Sequence, residues 1–117
     1  MVETLRRHHE QGFRLALVSN QSGVARGTLT REAALACLER TAELIDLPFV
    51  IRFCPHDAGS VRCWCRKPMP GLGVELMRSM ELDREACLVV GDQESDADFA
   101  GNLGVPFVAA DEFFGRP

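Results

Sequence analysis

Residues 13–23 read Phe-Arg-Leu-Ala-Leu-Val-Ser-Asn-Gln-Ser-Gly, an apolar run that stops on a polar, glycine-containing turn. Phe13 to Val18, bounded by Gly12 and Ser19, has the composition of a buried strand. The same shape recurs along the chain. Phe49–Phe53 runs into Cys54, with Pro48 marking its entry, and Cys87–Val90 opens onto Gly91-Asp92. Val105–Ala109 is a fourth apolar run, followed by an acidic, aromatic tail.

Helical patterns lie between these runs. Val2–Glu10 places Val2, Leu5 and His9 on one face and stops at Gly12. A second helix starts at Thr28 or Thr30, either of which can cap it, and reaches about Ile45. Its apolar positions Ala34, Leu35, Leu38, Ala42 and Ile45 are helically spaced. Pro70 opens a third, a position proline tolerates, with Val74, Leu76, Met77 and Met80 on its apolar side. Ser95 to Leu103 is a fourth, closed by Gly104. Strands alternating with helices require right-handed crossovers, so the expected fold is α/β, a three-layer, doubly wound and mainly parallel sheet. In such sheets, chemistry gathers at the carboxyl ends of the strands. The turns at Ser19, Cys54 and Asp92 all fall there.

At 117 residues the chain is expected to form one small domain around a single core. Its mean hydropathy is near zero, and no apolar run approaches the roughly 20 residues that span a bilayer. Met1–Gln11 is charged and lacks the apolar centre of a signal peptide. The expectation is a soluble, cytoplasmic protein with no membrane partner. The net charge of −4 and the absence of a basic run longer than Arg6-Arg7 or Arg66-Lys67 argue against an extended nucleic-acid surface.

Five cysteines are an odd number for a disulfide scaffold. Three of them share one short window with a histidine: Cys54-Pro55-His56, six residues, then Cys63-Trp64-Cys65. Three thiols and an imidazole make a complete tetrahedral set for zinc, with no position left for water, hence a structural site. The alternative is buried, inert cysteines, the reading given to Cys37 and Cys87. Arg66-Lys67, directly after the last ligand, offers a planar fork and a point charge to a phosphate, or else is a solvated basic pair. Ser19 and the turn after it can hydrogen-bond phosphate oxygens, although such turns end many strands. Asp92 at a strand tip, with Asp96 four residues on, suits Mg²⁺. For Asp96 the competing reading is a helix start favoured by the dipole.

Together these segments resemble the haloacid dehalogenase superfamily of phosphatases, subfamily IIIA, and within it the histidinol-phosphatase and heptose-bisphosphate-phosphatase branch. Val18-Ser19-Asn20-Gln21-Ser22-Gly23 resembles its second motif. The cysteine–histidine loop running into Cys65-Arg66-Lys67-Pro68-Met69-Pro70-Gly71 is similar to that branch's hallmark, with Lys67 at the third-motif lysine. Val90-Gly91-Asp92-Gln93-Glu94-Ser95-Asp96 resembles the fourth motif. The likeness runs from Gly12 to about Val108, and the short gap between His56 and Cys63 is more like the histidinol-phosphatase type.

The resemblance implies a HAD-like, Rossmannoid fold and Mg²⁺-dependent hydrolysis of a small phosphorylated metabolite through an aspartyl-phosphate. It implies catalytic roles for Ser19, Asn20, Lys67, Asp92 and Asp96, with Asp92 holding Mg²⁺ and Asp96 in support. Gln21, Ser22, Arg26 and Arg66 would touch substrate, and loops around Arg26, residues 58–62 and Arg66 would set specificity. Zinc would be structural, in a loop spanning 54–67.

One departure is sharp. The family's first motif, Asp-x-Asp-Gly-Thr, lies on a central strand upstream of the Ser-Asn-Gln turn. No aspartate precedes Asp46 here. Nucleophile and general acid are therefore absent, and the expectation is a domain truncated at its N-terminus, lacking the first central strand and inactive as this chain. The alternative is a non-catalytic zinc-binding relative used for binding or assembly. Without the first strand, its two neighbours are expected to pair directly, or to accept a strand from a second copy.

Overall fold

A computed structural model describes residues 2–57 and 63–115. The chain divides into two compact units, Met1–Arg62 and Cys63–Pro117, and each is a βαβ arrangement built on one parallel pair of strands.

In the first unit, α1 (Val2–Glu10) buries Thr4 rather than His9, which is exposed. It ends where Gly12 takes φ +98°, and the amide of Phe13 donates to the His8 carbonyl at 3.0 Å. This closure uses up Phe13 and Arg14, so β1 is Leu15–Asn20, two residues later than the apolar run alone indicates. β1 pairs in parallel with β2 (Phe49–Cys54), in a register from Leu15↔Phe49 to Asn20↔Cys54. Strand limits thus follow the partner rather than the end of the hydrophobic run.

Joining two parallel strands needs a long crossover. It contains a short helical turn, α2 (Ser22–Ala25), where the sequence suggests only a polar turn, and then α3 (Arg31–Ile45). Thr30 caps α3, its Oγ1 accepting from the amide of Ala33 at 3.0 Å. Asp46 ends it in the left-handed conformation at φ 62°. α3 packs on β2 and buries Ala34 and Ile45. Leu38 and Ala42 are half-buried, while Leu35 stays 39% exposed. Cys37 is exposed, which corrects its reading as a buried thiol: it lies off the Ala34–Leu38–Ile45 stripe.

The second unit holds most of the buried large side chains. α4 (Gly71–Ser79) starts directly after Pro70 as its composition requires. A 3₁₀ turn at Arg84–Ala86, capped by the Asp83 carboxylate, delays β3 to Val89–Gly91. β3 pairs in parallel with β4 (Phe107–Ala109), Val89 opposite Phe107. The crossover helix α5 (Glu94–Leu103) packs on both strands and ends at Gly104, φ 80°. Gly73 on α4 makes the close approach to α5: a methyl there would stand 2.6 Å from Leu103. Leu76, Met80, Phe99, Ala100, Leu103 and Val105 form this core. The tail, left without structure by sequence reasoning, forms α6 (Ala110–Phe114), whose Phe113 and Phe114 rings meet edge to face at 5.0 Å.

The described strands form two ladders, β1–β2 and β3–β4. The direct pairing of the Phe13–Val18 and Cys87–Val90 runs, expected as one way to close the sheet, is not among them. No helix among the described residues is long and apolar enough to cross a membrane.

Candidate functional site

Cys54 is the last residue of β2 and is fully buried. The chain then turns on itself: the amide of His56 donates to Cys54 Sγ at 3.5 Å, and His56 Nδ1 lies 3.5 Å from the same sulfur. Cys63 and Cys65, half-buried, resume the loop beyond residues 58–62. The ligand atoms of Cys54, His56, Cys63 and Cys65 all lie within 4.8 Å of one another, the metal-ligand group found among the described residues. Three sulfurs and one imidazole nitrogen that close fit tetrahedral zinc, and the set is complete without water. A metal ion held by these four side chains would tie the loop together. Residues 58–62, expected to contribute to specificity, lie outside the described residues.

The loop continues as a closed turn. Met69 N donates to the Arg66 carbonyl at 2.8 Å and Gly71 N to the Trp64 carbonyl at 2.9 Å. The Lys67–Pro68 peptide is cis, and Asn102 Nδ2 on α5 donates to the Pro68 carbonyl at 2.9 Å. Arg66 is half-buried.

This turn aims Lys67 at the start of α5. Its Nζ lies 2.7 Å from Asp96 Oδ1, with side-chain exposures of 16% and 10%. Asp96 Oδ2 accepts from the amide of Gln93 at 3.3 Å, so the carboxylate caps its own helix while holding the lysine. Asp96 therefore stands at its helix start, as one sequence reading has it, and pairs with Lys67 as well. Gly91, at the end of β3, makes the approach possible: a methyl there would sit 2.5 Å from Asp96 Oδ2. Asp92 follows Gly91 at the strand tip and is exposed, presenting its carboxylate to solvent. A carboxylate with open access is the kind of oxygen ligand Mg²⁺ takes when it keeps most of its waters.

The end of β1 forms a second polar group within the first unit. Gln21 Nε2 donates to Ser19 Oγ at 2.8 Å, and Gln21 N donates to the Cys54 carbonyl at 2.8 Å. That last bond fixes the turn to the residue where the cysteine–histidine loop begins. Asn20 is paired opposite Cys54. Ser22 enters α2, and the Gly23 carbonyl accepts from the Thr28 hydroxyl and the amides of Thr28 and Leu29. Arg26 is exposed at the end of that turn.

The structure thus brings together the four cysteine–histidine ligands, Lys67 with Asp96, and Ser19 with Gln21. It leaves Asp92 and Arg26 exposed. The Lys67–Asp96 contact, 29 residues apart in sequence, has no local signal, and neither has the Asn102–Pro68 bond. Cys87, expected in a strand, instead follows the 3₁₀ turn and donates to the Asp83 carbonyl at 3.1 Å. Burial, and then the Asp83 charge, push its thiol above the ordinary value.

Comparison with known proteins points one way. Residues 1–104 match the family model of the haloacid dehalogenase-like hydrolases. The D-glycero-β-D-manno-heptose-1,7-bisphosphate 7-phosphatase of Yersinia pestis is 38% identical, over 89% of this chain and 62% of that protein. The "Probable D-glycero-D-manno-heptose-1,7-bisphosphate 7-phosphatase" of Thermoplasma volcanium is 35% identical, over 91% of this chain and 75% of the relative. The histidine biosynthesis bifunctional protein HisB of Legionella pneumophila is 30% identical, over 92% of this chain and 32% of HisB. Among solved structures, a HAD-like phosphatase from Mesorhizobium loti superposes with a TM-score of 0.81 at 30% identity, over 90% of this chain and 55% of the other. The D,D-heptose 1,7-bisphosphate phosphatase of B. bronchiseptica, solved with magnesium and phosphate, superposes at 0.82. It covers 99% of this chain and 69% of the other at 23% identity, a likeness of fold. The chain spans 62% of the length of its Yersinia relative.

Proposed function

The chain belongs to the haloacid dehalogenase-like hydrolases, and on that premise we propose that it carries the phosphate-binding part of a phosphomonoesterase for a small phosphorylated metabolite. The observation that supports this most is the Lys67–Asp96 pair: a lysine held at 2.7 Å in a largely buried position, at the start of the helix that follows the exposed Asp92. A lysine so anchored is a preorganised positive charge, which costs little reorganisation when a phosphoryl group arrives. In this reading Lys67 meets the phosphoryl oxygens, Ser19 and Asn20 hydrogen-bond them, and Asp96 positions Lys67. Asp92 would hold Mg²⁺, which when bound neutralises charge on the phosphoryl group. Arg66, with Gln21, Ser22 and Arg26, would address the rest of the substrate. Zinc on Cys54, His56, Cys63 and Cys65 would brace the loop that carries Arg66 and Lys67. The names of the relatives favour a heptose bisphosphate or a histidine-pathway phosphate as the substrate class, and a cytoplasmic setting goes with either.

Transfer to a covalent intermediate needs a carboxylate nucleophile and a general acid. No aspartate stands before Asp46, and Asp46 lies at the C-cap of α3 rather than at a strand end. These 117 residues by themselves are therefore expected to bind phosphomonoesters without turning them over. That same observation favours a second reading, a non-catalytic zinc-binding relative used for binding or assembly. Self-association through the strand edges of β1 and β3 belongs to the proposal too, and sedimentation velocity at rising concentration reads it.

Calorimetry and phosphate release, measured with Mg²⁺ on heptose 1,7-bisphosphate and histidinol phosphate, test the proposal. Saturable binding with no release is expected. Release at an enzymatic rate by these residues alone would overturn the assignment of the missing nucleophile. No binding of either compound would overturn the phosphomonoester reading itself.

A further inference from the structure

Trp64 is the chain's one tryptophan, and it is 60% exposed. It stands between two of the four cysteine–histidine ligands, yet it is not a loose surface side chain. Its carbonyl accepts from Gly71 N at 2.9 Å, closing residues 64–71 into a turn. A methyl at position 71 would collide with both the Trp64 ring and its carbonyl, so the indole edge lies on bare backbone that only glycine leaves open. The ring is fixed along one edge while most of its surface faces solvent.

The same turn carries Arg66 and Lys67, the latter tied to Asp96. Three residues of chain set an upper limit of about 11 Å between the Cα atoms of Trp64 and Lys67. A phosphomonoester whose phosphoryl group meets Lys67 therefore docks on the turn that also carries the indole. Within the second unit, Trp64 is the one large exposed apolar side chain among the described residues. A single aromatic on a cationic turn suits a small molecule with one flat face better than a protein partner, which needs a contiguous apolar patch.

We propose that Trp64 is a specificity-determining residue whose indole face stacks on a ring in the organic part of the phosphomonoester, either the C–H face of a sugar or an imidazole. This rests on the phosphomonoester reading above and deepens it. Stacking of this kind rewards ring-bearing substrates and is indifferent to inorganic phosphate.

The test compares wild type, Trp64→Leu and Trp64→Phe, each zinc-loaded and checked by far-UV circular dichroism, by calorimetry with three probes. These are inorganic phosphate, α-D-glucose 1-phosphate and histidinol phosphate; whichever organic probe responds identifies the kind of ring. Trp64→Leu, which keeps bulk but loses the flat face, is expected to weaken a ring-bearing probe roughly two- to tenfold. Inorganic phosphate should bind unchanged, and Trp64→Phe should restore most of the loss. With no tyrosine present, fluorescence of the single tryptophan should respond to that organic probe and not to inorganic phosphate. Equal binding of both organic probes by wild type and Trp64→Leu would overturn the proposal and leave the phosphomonoester reading standing. An equal loss for inorganic phosphate would also overturn it, by assigning Trp64 to the turn's shape. If wild type binds none of the three, the phosphomonoester reading falls and this inference with it.

Discussion

The cysteine–histidine loop and the Lys67–Asp96 corner solve the same problem by opposite means. Each gathers polar or ligand side chains in a small space. The loop does so with four side chains drawn from one short stretch, which a bound cation would tie together. The corner is complete in itself, because the lysine charge, the carboxylate and the Gln93 amide satisfy one another across 29 residues. Stability should therefore depend on metal in the first region and on internal pairing in the second.

The largest effect expected is loss of metal. Purified protein should contain about one zinc per chain, and chelation or Cys65→Ser should remove it and lower the melting temperature by on the order of 10 °C or more. A melting temperature indifferent to chelators would erase the contrast. Next comes Asp96→Ala, which leaves Lys67 charged in a place only 16% exposed; denaturant unfolding should show a loss of about 3 kcal/mol. The double variant with Lys67→Met should lose less than the two single losses added together, and strict additivity would show that the contact carries no coupling.

Gly91→Ala sharpens the corner further. Its methyl would stand 2.5 Å from Asp96 Oδ2, and the strain should cost about 1–3 kcal/mol. An unaffected variant would mean that Asp96 has room to move away. The smallest effect is kinetic. Only the thiolate is alkylated, and the Cys87 thiol titrates above its ordinary value, so near neutral pH it should react several-fold more slowly than the exposed Cys37. Its rate should keep rising as pH climbs toward that raised value. Peptide mapping after iodoacetamide, on zinc-loaded protein, reads both sites.

The two regions also differ in how far the sequence discloses them. The loop is legible because its ligands are neighbours and their type and number name a metal. Helix limits are legible for the same local reason: Thr30 caps α3, Pro70 precedes α4, and Gly104 takes the left-handed turn that ends α5. Strand limits are less so. β1 starts at Leu15 because Phe49 lies opposite it, and β3 waits for the 3₁₀ turn at Arg84–Ala86. The corner is illegible by spacing alone, since nothing near Lys67 indicates that Asp96 will be its partner. Motif resemblance assigns both residues to one site, but their contact, and the double use of Asp96 as cap and anchor, exist only in the folded chain. Cys37 shows the limit of periodicity: one position away from the covered Leu38 is enough to place a thiol in solvent.

The most direct test joins the two regions: the affinity for inorganic phosphate, by calorimetry with Mg²⁺, of zinc-loaded, zinc-stripped and Lys67→Met protein. If the metal braces the turn that carries Lys67, zinc-loaded protein binds phosphate saturably, stripping weakens that binding, and Lys67→Met abolishes it. Equal phosphate affinity in all three would contradict both the site and its brace.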